Sequence, residues 1–303
     1  MSNSIETFGL SKAFRSLFRK TEAVHDLDMT VPEGSVYGLV GPNGAGKTTA
    51  LKAVMNIHAP SSGHAQVLGV DSTRLGPDQL ARIGYVSENQ DLPDWMRLGY
   101  FLKYLKPFYP TWDDQFASDL VVQFQLPLHR KLGQMSRGMR VKAALASSLA
   151  YRPELLVLDE PFSGLDSLVR DELIEGLLSA VQGTTILISS HDLAEMESFS
   201  SHIGYLENGR LQFQEELTSL SSRFREIEVV LEGEPPNVPR WPETWLTPQS
   251  SSVVVRFVDS RFHPERTMAE VHKLFPSVRG VTVNAMPLRS IFVALARTGR
   301  KAA

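Results

Sequence analysis

A lysine and two threonines close the glycine-rich run Gly41, Pro42, Asn43, Gly44, Ala45, Gly46, Lys47, Thr48 and Thr49, directly after the apolar stretch Val36–Val40. Glycines at 41, 44 and 46 lack a Cβ, so the backbone can turn tightly and present successive N–H groups to an anion. Residues 50–57 read as a helix with Leu51, Val54, Met55 and Ile57 as its apolar stripe, which aims the positive helix end at the same point. The chemistry implied is nucleotide phosphate binding. In it Lys47 reaches the β- and γ-phosphates, Thr48 offers its hydroxyl to Mg2+ and Thr49 sits near the α-phosphate. A glycine-rich structural turn would need neither the lysine nor the threonines.

A second chemical centre ends the aliphatic run Leu155–Leu158 with Asp159 and Glu160. Such a run is what a fully buried parallel strand looks like, and parallel strands deliver ligands at their carboxyl ends. The two acids divide the work: Asp159 holds Mg2+ and Glu160 polarises the water that attacks the γ-phosphate. A surface acidic pair after a buried strand would account for the composition but not for its coincidence with a phosphate loop. Two further strand-like runs, 83–86 and 185–188, lead to Gln90 and His191. Gln90 offers a neutral donor and acceptor for Mg2+ or the attacking water. The imidazole of His191 can bond the γ-phosphate and place the water of Glu160.

These motifs, with Met135, Ser136, Arg137, Gly138 and Met139 and the segment Ser163–Asp166, resemble the ATP-binding subunits of ABC transporters over residues 4–217. The resemblance implies a glutamine loop at 85–90, a signature motif at 135–139, an aspartate loop at 163–166 and a switch histidine at 191. It also implies an ATPase that dimerises around two ATP–Mg2+, each held by Gly41–Thr49 of one subunit and by Ser136 and Gly138 of the other, with Asp166 at the shared face. The signature departs from the family's Leu-Ser-Gly-Gly-Gln at Arg137 and Met139, which either tune turnover or are tolerated surface residues. For the adenine ring the family uses an aromatic residue on its first strands; Phe14 matches, Phe18 is the fallback, and a core phenylalanine is the rival reading.

The elements that must carry these groups fit an α/β fold. The expectation is a P-loop NTPase core with an antiparallel β subdomain and a helical insert over about 91–150, followed by a small α+β extension over 222–300. The aromatic residues of the insert, Trp95, Tyr100, Phe101, Tyr104, Phe108, Tyr109 and Trp112, are expected mostly in its own core. In the extension, 226–231, 253–258 and 280–284 read as strands, 267–275 and 290–297 as helices, and the proline-rich 233–239 as a loop.

Composition narrows the class. The 303 residues include no cysteine, which excludes disulfides and thiolate-bound metals, and no apolar run of membrane-spanning length or cleavable leader. A net charge of -3 and pI near 6.3 argue against a nucleic-acid partner. What the resemblance implies, and it alone gives the export direction, is a cytoplasmic ATPase, peripheral on the inner face of the membrane, working as a homodimer or with a related chain to drive a separate export permease. The alternative is a soluble ABC ATPase acting on ribosomes or nucleic acid.

Overall fold

The computed structural model describes residues 2–15, 20–88, 90–181, 183–236, 238 and 240–299. Phe18, the fallback for adenine, lies outside the described residues. The chain divides into two compact units, one of residues 1–192 and 200–214, the other of 193–199 and 215–303.

The first unit opens with β1 (Asn3–Arg15), β2 (Lys20–Leu27), β3 (Thr30–Pro32) and β4 (Val36–Val40), then α1 (Lys47–Val54). It continues through β5 (Ser62–Val67), β6 (Val70–Asp71), the single turn α2 (Pro77–Leu80) and β7 (Ile83–Ser87). Three helices follow, α3 (Leu98–Leu105), α4 (Asp114–Gln123) and α5 (Arg137–Leu149), and then β8 (Leu155–Asp159), α6 (Ser167–Ala180) and β9 (Thr185–Ser190). After α7 (Leu193–Phe199), which belongs to the second unit, come β10 (His202–Glu207) and β11 (Arg210–Glu216).

Two sheets result. The antiparallel one runs β2-β1-β5-β6 with β3 also on β1, and the other runs β11-β10-β4-β9-β8-β7. In the second, β10, β4, β9, β8 and β7 pair in parallel, so their carboxyl ends lie along one edge. Every residue of β8 and β9 is buried, which is why both read as unbroken aliphatic runs. A core of Leu39, Leu51, Val54, Val157 and Leu187 joins α1 to these strands.

Helix α1 departs from the sequence expectation at both ends. It begins at Lys47, because the phosphate loop passes straight into helix, and it stops at Val54, with Asn56 at a φ of 52°. Leu51, Val54 and Met55 are buried, but Ile57 is exposed. The insert also differs: Phe101 is buried, whereas Trp95, Tyr100, Tyr104 and Phe108 are exposed. Helix α3 ends at Leu105 and a 3-10 turn spans Lys106–Phe108, so Phe101, Tyr104 and Phe108 do not lie along one α-helix.

The second unit adds α8 (Leu217–Arg223), β12 (Arg225–Leu231), β13 (Trp245–Ser251), β14 (Val254–Asp259), α9 (Pro264–Leu274), β15 (Val278–Ala285) and α10 (Leu288–Gly299). Its strands form an antiparallel sheet in the order β13-β14-β12-β15. Ile227, Val229, Val255 and Phe257 meet Val271 and Phe275 of α9, and Trp245 stacks on Phe257 at 3.7 Å. Helix α7 packs with α10 here, and Glu197 accepts from the Leu288 N–H at 3.0 Å. Strand β13 lies in a stretch for which the sequence pattern gives no strand, and it contains Pro248. A bulge between Leu246 and Gln249, with Thr247 at a φ of 47°, accommodates the proline on this edge strand.

Candidate functional site

At the carboxyl ends of the parallel strands a cavity of about 480 Å³ is lined by Ala23, Asn43 to Thr49, Glu88, Glu160, Ser163 and His191. The loop after β4 builds its floor. Gly46 has a φ of 105°, and a Cβ there would run into the Ala23 carbonyl; a Cβ on Gly41 would strike the Leu206 carbonyl. Both positions therefore require glycine for the loop to keep its path. Lys47 is 5% exposed, and its ammonium donates to the carbonyls of Gly41 at 2.7 Å and Pro42 at 3.2 Å. An ammonium wrapped by its own loop in this way is the cation that a phosphate group would meet.

The two acids at the end of β8 take different surroundings. The Asp159 carboxylate is buried, and its Oδ1 accepts from the Thr48 hydroxyl at 2.9 Å and from the Ser189 hydroxyl at 2.8 Å. Glu160 leaves the strand with a φ of 49°, a conformation unusual for a side-chain-bearing residue and held by its N–H donating to Ser189 Oγ at 3.0 Å. That turn sends the Glu160 carboxylate into the cavity, where Oε1 lies 3.1 Å from Lys47 Nζ and Oε2 lies 2.8 Å from His191 Nδ1. Ser189 was missed by sequence reasoning. As the next-to-last residue of β9 opposite Asp159, it ties both acids in place through one hydroxyl.

The oxygen donors of Thr48 and Asp159 fit a magnesium ion, which prefers one or two protein oxygens and completes its shell with phosphate and water. Among the described residues no cluster of three or more His, Cys, Asp or Glu side chains is present, so an ion here would draw on those other ligands. Burial, and then the charge of nearby Asp159, push the Tyr85 phenol up to about 12, so it stays neutral beneath the site.

The other residues singled out in the sequence lie in different places. Gln90 is absent from the cavity lining, and its buried side-chain carbonyl has no hydrogen-bond partner among the described residues. Glu88 occupies the lining instead, because β7 ends at Ser87 opposite Asp159 and the Glu88 N–H donates to the Asp159 carbonyl at 2.9 Å. The spacing Glu88-Asn89-Gln90 gave no signal to choose between the two. Phe14 is 42% exposed, outside the cavity lining, and meets His58 edge-on at 5.7 Å. Ser136 caps α5 by accepting from the Met139 N–H, and Asp166 caps α6 by accepting from the Val169 N–H. Neither they nor Gly138 line this cavity.

Comparison with known proteins agrees with this geometry. The family model described as ABC transporter matches residues 24–163. An ABC transporter ATP-binding protein of Bacillus subtilis, YtrB, is 30% identical over 75% of this chain and 77% of its own length. The daunorubicin/doxorubicin resistance ATP-binding protein DrrA of Streptomyces peucetius is 30% identical over 93% of this chain and 78% of its own. The bacitracin transport ATP-binding protein BcrA of Enterococcus faecalis is 31% identical over 74% and 73%. Among solved structures, an ATP-binding subunit of an ABC transporter superposes with a TM-score of 0.64 at 25% identity, covering 72% of this chain and 92% of that one. A dimeric bacterial cassette, MJ0796, superposes with a TM-score of 0.63 over 70% and 98% at 23% identity, a likeness of fold. By its relatives, and in keeping with a glycine-rich loop whose lysine lies beside a glutamate at the ends of parallel strands, the chain belongs to the ABC transporter ATP-binding proteins and is an ABC ATPase.

Proposed function

We propose that this chain is the ATP-hydrolysing subunit of a drug exporter, pairing with a second copy or a close relative around two ATP–Mg2+ and driving a separate membrane permease. The observation that carries the hydrolytic part is Glu160 held between Lys47 and His191 at the cavity. In the absence of phosphate, Lys47 neutralises Glu160. A γ-phosphate entering the loop competes for that ammonium, and Glu160 is then free to take a proton from water. The water oxygen bonds to the γ-phosphorus, the bond from phosphorus to the bridging oxygen breaks, ADP leaves and the proton rests on Glu160. His191, donating from Nδ1 to Glu160, keeps the carboxylate aimed, and in its doubly protonated form its Nε2 can also donate to a phosphate oxygen. A magnesium ion held by Thr48 and Asp159 would supply charge neutralisation of the phosphates.

Pairing is supported by what lies outside the cavity. Ser136 and Gly138 stand at the start of α5, away from the chain's own phosphate loop lining, as expected of groups that serve the ATP of a second subunit. Export is supported by the relatives named for bacitracin transport and daunorubicin resistance. By analogy with those relatives the transport path is assigned to a partner permease, and this chain to the cytoplasm, peripheral on the inner face of the membrane; among the described residues no helix is long and apolar enough to cross a membrane. Phe14 is assigned to the adenine.

The test is the Glu160→Gln protein. Light scattering after size exclusion should find it dimeric with ATP and Mg2+ and monomeric without them, with phosphate release suppressed. A monomer under both conditions argues against pairing in the absence of the permease, and wild-type turnover would overturn the role of Glu160.

A further inference from the structure

The loop after β7 and the first turn of α5 are joined by two ion pairs. Arg137, the first residue of the helix, donates from Nη2 to Glu88 Oε1 at 2.6 Å, and Arg140 pairs with Asp94. The helix carries no acid in its own first turn, and a cation there faces the positive end of the helix dipole. Arginine at this place therefore needs an anion from elsewhere, and Glu88 provides it. The guanidinium also lies over Gly164, where φ is +68° and an added Cβ would come within 2.9 Å of Nη1. Arg137 thus spans two segments that line the nucleotide cavity, the one holding Glu88 and the one holding Ser163.

Charge explains why that span matters. Glu88 brings a second carboxylate, beside Glu160, to the lining of a cavity whose buried cation is Lys47 and which, on the ATP reading, receives a polyphosphate; Asp159 adds a buried charge behind Thr48. An unpaired Glu88 would repel the nucleotide, whereas Glu88 bonded to Arg137 leaves its second oxygen for an ion or water.

We propose that Arg137 is a positioning residue of the metal–nucleotide site in its own chain: it holds and neutralises Glu88, which takes the place expected of Gln90. This rests on the ATP–Mg2+ reading of the cavity. Because the same turn carries Ser136 and Gly138, the Glu88–Arg137 pair also ties occupancy of one site to the surface offered to the second subunit.

A fluorescent, non-hydrolysable ATP analogue titrated with Mg2+ tests it on wild type, Arg137→Ala, Arg137→Lys, Glu88→Gln and the double variant Glu88→Gln/Arg137→Ala. Arg137→Ala should raise the Mg2+ concentration for half-maximal binding by about tenfold, the usual scale for losing a partner of a metal-facing group. Arg137→Lys should recover part of that shift, since charge is kept but the planar fork is lost. In the Glu88→Gln background the alanine should have no further effect. The proposal is overturned if Arg137→Ala binds with wild-type Mg2+ dependence, or if it shifts that dependence equally in both backgrounds. A lower melting temperature with unchanged Mg2+ dependence would assign the pair to stability alone. Failure of wild type to bind the analogue would instead overturn the ATP–Mg2+ reading, and this inference with it.

Discussion

Two buried aspartates, each the last residue of a strand, show how differently the two units use the same group. Asp159 ends β8 and Asp259 ends β14, and both are almost wholly withdrawn from solvent. Asp259 is satisfied from its own neighbourhood: Oδ1 accepts from the Arg261 N–H at 2.9 Å, Oδ2 from the Thr267 hydroxyl at 2.6 Å, and Arg266 lies 3.5 Å away. Its partners sit on the connection to α9 and on that helix, so the carboxylate fastens helix to sheet. Asp159 instead draws on Thr48, at the start of a helix that opens onto a cavity, and on Ser189 of the next strand. A buried carboxylate closed off by local donors is a structural bond, whereas one shared with a phosphate loop is part of a binding site.

Substitutions can break this contrast. Glu160→Gln should lower phosphate release by about 10² to 10⁴, the range for losing a general base, while the melting temperature stays near wild type. Lys47→Ala should weaken ATP binding by about 10- to 100-fold, as expected for removing a charge-assisted hydrogen bond worth about 1.5–3 kcal/mol; equilibrium binding of a fluorescent analogue measures it. Asp259→Ala should do the opposite of both. It should cost about 2 kcal/mol of stability by leaving Thr267 and the Arg261 N–H unpaired, seen in denaturant unfolding, with phosphate release per folded molecule unchanged. If turnover per folded molecule fell with Asp259→Ala, the division of labour between the units would be wrong.

Two further substitutions probe the first unit by itself. Gly46→Ala, which forces a side chain onto a φ of 105° and into the Ala23 carbonyl, should cost about 1–3 kcal/mol and remove nucleotide binding together with stability. Phe14→Ala should weaken ATP binding by a factor of ten or less, since one aromatic stack is worth about 0.5–1.5 kcal/mol. The same variant tested against inorganic triphosphate should bind as wild type does, because the loss concerns the base.

Much of the site could be read from local pattern. The phosphate loop is contiguous, and β4, β8 and β9 are buried on both faces, so their aliphatic runs stand out and the residues after them are easily named. The extension was harder: β13 hides behind Pro248 because a bulge relaxes the rule that proline interrupts strands. The insert was misread because an aromatic cluster has the same composition whether it fills a core or faces outward, and here Trp95, Tyr100, Tyr104 and Phe108 face outward. Helix α7 was expected with the first domain by its place in the chain but packs with α10 of the second unit.

The proposed chemistry was legible along the chain, because binding phosphate depends on one short loop and on residue types at the ends of strands recognisable by their hydrophobicity. Which side chains share the cavity depends instead on how the loops meet in space. The pairing of Ser87 with Asp159 turns Glu88 inward in place of Gln90, and the first turn of α5 brings Arg137 to it from 49 positions along the chain. A charge pair of that separation leaves no periodic trace in sequence, since it depends on where two loops end in space.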